Sequence, residues 1–195
     1  RNAIDEAVTE KSEAVTAPAD PNNQPAGSDN VPTLEQVQEK IDRAKANPKD
    51  ADAQIQAAHL YVEIERFDDA LELYQKAAEL EPENFEANAN IGKIFLTKRD
   101  YEKAGEYYEK ALSVNDKNAG IRSDLGLTYY LRTPRNTERA VKEYRAALEL
   151  DPEHESTLQN LSVALKDLGQ EAERTKILDR LKKVNPDNIV FKEPS

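Results

Sequence analysis

A spacing limits what this chain can fold into. Pro48 and Pro82 are 34 residues apart, and so are Pro152 and Pro186. The gap between Pro82 and Pro152 is 70, one step of 34 and one of 36, with Asp116 standing where the intervening proline would be. Ala70, Ala104 and Ala140 mark a second column, and Tyr74, Tyr108 and Tyr144 a third. Ala77, Ala111 and Ala147 mark a fourth, continued by Leu181. A period of this length means supersecondary units, each unable to bury its apolar face alone and each stacked on the next.

The unit from Phe85 to Asn118 shows what each one contains. Ile91, Gly92 and Phe95, and then Tyr101, Ala104, Tyr108, Ala111 and Leu112, fall at helical spacing in two runs. Lys98-Arg99-Asp100 separates them, and Asp100 is placed to cap the second helix. Two antiparallel helices, A and B, joined by a tight turn are the expected product. Gly92 costs about 1 kcal/mol in mid-helix relative to Ala, a cost that is explained if a neighbouring helix passes too close for a Cβ. The A helices repeat Ala57-Ala58, Ile91-Gly92, Leu125-Gly126 and Leu161-Ser162, followed by Tyr61, Phe95, Tyr129 and Leu165.

This large-small-aromatic pattern in helix A, with small-aromatic-small-proline in helix B, resembles the tetratricopeptide repeat family over Ala51 to Asn188. The family's tryptophan near the repeat start is absent, its place taken by Gln54, Asn88, Arg122 and Leu158. The resemblance implies an all-α solenoid of antiparallel helix pairs in a right-handed superhelix, with four repeats at 51–84, 85–118, 119–154 and 155–188. The third repeat is longer by two residues, placed near Thr133-Pro134 in the turn LRTPRNT. The fourth is degenerate in helix B, where Arg174 and Leu178 replace the small and aromatic residues and Lys182-Lys183 add charge, as a terminal capping repeat requires. Residues 33–50 read as a preceding cap helix, opened by a Thr33–Gln36 capping box, with Leu34, Val37, Ile41 and Ala44 on one stripe. Residues 1–32, rich in Pro, Asn, Asp, Ser and Gly, bury too little to offset ordering entropy and are expected to be a disordered tail or linker. Ile189-Val190-Phe191, at the start of the 189–195 tail, either folds back on the last helix or begins a further repeat.

The resemblance also implies where a ligand lies. The A helices of such a stack line its concave side, and the family's groove-facing places correspond to Ile55, His59 and Val62 in the first repeat. The second supplies Ala89, Asn90, Lys93 and Leu96, the third Ser123, Leu127 and Tyr130, and the fourth Gln159, Val163 and Lys166. Apolar anchors mixed with a few polar groups suit an extended peptide or helix of a partner protein. The family's clamp for a chaperone's C-terminal carboxylate is not reconstructed. One register offers Ile55, His59, Asn90, Gly120 and Asp124, the next Ala89, Lys93, Asp124, Ser156 and Asn160, and only Asn90 matches.

Composition narrows the function further. A net charge of −11 argues against binding a phosphate backbone, which needs clustered Lys and Arg. There is no Cys, no apolar run of transmembrane length and no Gly-rich phosphate loop. His59 and His154, the two histidines, have no metal-ligand or triad spacing around them, so neither metal, cofactor nor catalysis is expected. The chain contains no Met and is read as a processed or trimmed product, with a removed signal or membrane anchor and deliberate trimming both open; its compartment is not legible. The expectation is a non-catalytic protein-binding scaffold or adaptor. Self-assembly into a homo-oligomer, and a regulatory module from a larger protein, stand as rivals.

Overall fold

The computed structural model describes residues 34–192. The expected tail at 1–32, the last residues 193–195 and the Thr33–Gln36 capping box lie outside what is described. The chain divides into two compact units, Arg1–Pro82 and Glu83–Ser195.

In the first unit, helix α1 (Leu34–Ala46) precedes the pair α2 (Ala51–Glu63) and α3 (Phe67–Leu80). Val37, Ile41 and Ala44 pack on Ala53, Ala57 and Leu60 of α2, while Glu35, Glu39, Asp42 and Arg43 face solvent. Gln54 explains why no tryptophan is needed at its position. It is 1% exposed, yet its amide donates to the carbonyls of Ala44 and Asn47 at 2.9 and 3.1 Å, closing the end of α1 and satisfying its own polar group. Asp50 caps α2 by accepting from Ala53 N–H. Tyr74 of α3 is fully buried, edge-on to His59 with ring centroids 5.7 Å apart.

The second unit holds α4 (Phe85–Thr97), α5 (Tyr101–Val114), α6 (Ala119–Leu131), α7 (Thr137–Leu150), α8 (Glu155–Asp167) and α9 (Glu171–Val184), then a 3-10 turn at Ile189–Phe191. Each A helix (α4, α6, α8) packs on its own B helix (α5, α7, α9), and each B helix on the following A helix; successive A helices also touch. All described elements are helical, so the all-α solenoid of helix pairs is what forms. Asn84, Asp100, Asn118 and Asn136 cap α4 to α7 through their side chains. A Cβ on Gly92 or Gly126 would lie 2.7 Å from the ring of Tyr108 or Tyr144 respectively, so those tyrosines fit only because the facing helix carries no side chain there.

Three A–B turns close alike, with Glu65, Arg99 and Gly169 in the left-handed region at φ 62°, 61° and 67°. The third pair departs from this. Residues 132–136 join α6 to α7, with a cis Thr133–Pro134 bond, where the other turns use three residues. The turn before α6 lacks proline and is held by a side chain instead: Arg122 donates to the carbonyl of Asp116 at 2.9 Å and pairs with buried Glu143, which Arg139 also contacts. At the end of the unit Asn188 donates to Glu155 and Gln159, and Val190 and Phe191 pack on the core of α8 and α9, while Ile189 stays 70% exposed.

Candidate functional site

The A-helix face of the second unit is built from one stripe of each of α4, α6 and α8. On α6, Asp124, Leu127 and Tyr130 follow at helical spacing and are half-buried. Lys93 of α4 and His154, just before α8, both act electrostatically on Asp124. Tyr130 donates its hydroxyl to Asp167 of α8 at 2.7 Å. These links bring Lys93, Asp124, Tyr130 and Asp167 onto one surface. Asn90 and Leu96 continue it on α4 and are half-buried; Val163 and Lys166 continue it on α8 and are exposed.

Three expected groove residues are not available to a ligand. Ile55, Ala89 and Ser123 are 4%, 4% and 3% exposed and are absorbed into helix packing. Ala89 and Ser123 are small, and side chains of that size on closely packed helices are covered by their neighbours. Gln159 is committed in another way, since it accepts from Asn188 at 3.0 Å. In the first unit Val62 and His59 are half-buried, with His59 against Tyr74.

Electrostatics single out Asp124. Burial raises its carboxyl above the ordinary aspartate range, opposed by Lys93, the Tyr108 hydroxyl and His154. Tyr108 is raised as well, by burial first and then by the neighbouring Asp124. The face therefore carries a weakly acidic carboxyl at its centre and the exposed ammonium groups of Lys93 and Lys166 on either side.

The longer turn of the third pair also reaches this face. Arg135 stacks over the Tyr130 ring at 4.3 Å and lies 2.9 Å from Asp167 Oδ2, so Tyr130 is held from two sides. Sequence reasoning placed the extra residues correctly but saw no role for Arg135, because its partner is 32 residues away and no periodicity links them. Tyr61 and Tyr129, assigned to core columns, prove half-buried, with Arg66 5.0 Å from the Tyr61 ring and Arg132 4.5 Å from the Tyr129 ring. Among the described residues no group of three His, Cys, Asp or Glu is placed to hold a metal ion, and no helix is long and apolar enough to cross a membrane.

Comparison with known proteins agrees with the helix pairs. Tetratricopeptide repeat models match residues 55–120 and 125–154. No curated protein sequence matches the chain. Among solved structures, a crystal structure of MamA superposes with a TM-score of 0.71 at 18% identity, covering 80% of this chain and 90% of that one. MamA from Desulfovibrio magneticus RS-1 gives 0.71 at 18% identity, covering 80% and 86%. At such identity the likeness is one of fold.

Proposed function

From the premise that this chain is a tetratricopeptide repeat protein, hence built as a protein-interaction scaffold, we propose that it binds a peptide or helix of a partner protein without catalysis, on the A-helix face of its second unit. Asn90, Lys93, Leu96, Leu127, Tyr130, Val163 and Lys166 form the contact set. The observation that carries this reading is the half-buried pair Leu127 and Tyr130 with exposed Val163, flanked by the exposed ammonium groups of Lys93 and Lys166, on a surface whose tyrosine is already held in place by Asp167 and Arg135. A fixed aromatic loses little further freedom on binding and is suited to be an anchor. Ile55, Ala89 and Ser123 support the helices instead.

The test compares the parent with a Leu127→Ser, Val163→Ser double variant. Both positions lie outside the columns that pack helix on helix, so the circular dichroism and melting temperature are expected to stay close to the parent's, with a cost of about 1 kcal/mol or less. Partners captured by the parent are identified by mass spectrometry and remade as peptides for calorimetry. Binding is expected to weaken by at least about tenfold in the double variant, since a central anchor is worth about 2 kcal/mol. A folded variant that binds the peptide at full strength would move the contact to another face. Sedimentation of the parent at several concentrations separates this reading from self-assembly.

A further inference from the structure

A second feature of the second unit lies on a different face of α6, where α5 crosses it. A cleft of about 270 Å³ opens there, lined by Tyr101, Glu102, Gly105, Glu106, Glu109, Thr128, Tyr129 and Arg132. Gly105 is among its lining residues, and packing does not explain its presence. A Cβ there would meet Thr128 Oγ1 at 3.5 Å and Leu125 Cδ1 at 4.0 Å, both ordinary contacts, whereas Gly92 and Gly126 face rings at 2.7 Å. A mid-helix glycine costs about 1 kcal/mol relative to Ala, and what it leaves here is the depth of the cleft.

The walls select a cation. Three carboxylates line the cleft against one guanidinium, and they are not equally free. Glu109 accepts from Tyr129 at 2.6 Å and lies 3.6 Å from Arg139. Glu102 and Glu106 make no hydrogen bond or ion pair among the described residues. The nearby Lys103, which feels Glu106, has its ammonium on Asp100 at 2.9 Å. Glu102 and Glu106 are four apart on one helix, a like-charge arrangement that is unfavourable until a cation joins it. The aromatic walls show the same preference: Arg132 and Arg139 lie 4.5 and 5.2 Å from the Tyr129 ring, while among the described residues no cation stacks on Tyr101.

We propose that this cleft binds an arginine side chain from a basic segment of a partner protein, its guanidinium over the Tyr101 ring and hydrogen-bonded to Glu102 and Glu106. A planar guanidinium satisfies two carboxylates and a ring face together. The site shares no residue with the Leu127–Val163 stripe, so the two can fail separately.

The probe is N-acetylated, amidated tetra-arginine titrated into the isotopically labelled full chain, followed by amide resonances. Saturable shifts centred on Gly105, Thr128 and Arg132 are expected, with none from tetra-glutamate. Glu102→Gln with Glu106→Gln should weaken the interaction at least about fivefold. The control pair Glu149→Gln with Glu153→Gln should change it by no more than about twofold. Gly105→Leu, checked for helicity, should also abolish the shifts by filling the cleft, and it decides the matter if the charge variant does not fold. The proposal is overturned if the shifts spread over the acidic surface and the control pair matters as much. It is equally overturned if calcium chloride alone gives the same saturable shifts, or if Leu127→Ser with Val163→Ser removes the binding.

Discussion

Three substitutions separate the reasons single residues stand where they do. Gly126→Ala places a methyl group 2.7 Å from the Tyr144 ring and 3.2 Å from the Ala140 carbonyl, so it should destabilise by about 1–3 kcal/mol, read from denaturant midpoints. Gly105→Ala meets only ordinary contacts and should stabilise by about 0.5–1 kcal/mol in the same assay. The pair tests whether proximity, not helix propensity, governs these sites. Asp124 tests charge. Its carboxyl is raised in the fold, chiefly by burial, so the folded state binds its proton more tightly than the unfolded chain does. The stability it contributes is complete below the ordinary aspartate range and is lost as pH rises through the raised folded value. Asp124→Asn, which mimics the protonated form, should therefore raise the melting temperature at pH 7 and leave it unchanged near pH 3. A gain of equal size at both pH values would show that the carboxyl's charge is not what matters.

At the scale of elements, the turns carry the argument. Arg99 holds a left-handed conformation at φ 61° that Gly169 adopts at the equivalent turn without a Cβ penalty. Arg99→Gly should stabilise by about 0.5–1 kcal/mol, measured by thermal unfolding, because the side chain is exposed and the strain is relieved. The helices themselves were legible because columns such as Ile91, Tyr108 and Leu161 repeat at the period of packing, and all three prove buried. Even the cost of Gly92 was readable, since a residue that harms its own helix implies a close neighbour. The candidate face was less legible. A repeat register says which turn of α4 or α6 faces inward, but not how closely the helices approach, so Ala89 and Ser123 looked accessible and are not. Likewise the aromatic column concealed Tyr61 and Tyr129, whose ring ends emerge beneath arginines. Arg135 left no signal at all, because its contact with Asp167 depends on the path of one irregular turn.

For the molecule as a whole, charge and connectivity set the behaviour. A net charge of −11 opposes compaction through self-repulsion, against which ion pairs between helices, such as Arg145–Glu173 at 2.6 Å, act. Raising sodium chloride from about 10 to 200 mM shortens the screening length from about 30 Å to under 10 Å. The melting temperature should rise by roughly a few degrees as a result; a fall would mean that attractive pairs dominate. Salt reaches one place differently. The turn ahead of α6 has Asp116 where its counterparts have proline, and Arg122 holds it by a charge-assisted bond while also pairing with Glu143. A proline ring braces a backbone at any ionic strength, whereas a guanidinium clasp does so less well as ions accumulate. Lys117, exposed in that turn, is then the bond a trypsin-like protease should find first in concentrated salt, giving the second unit a scissile point of its own.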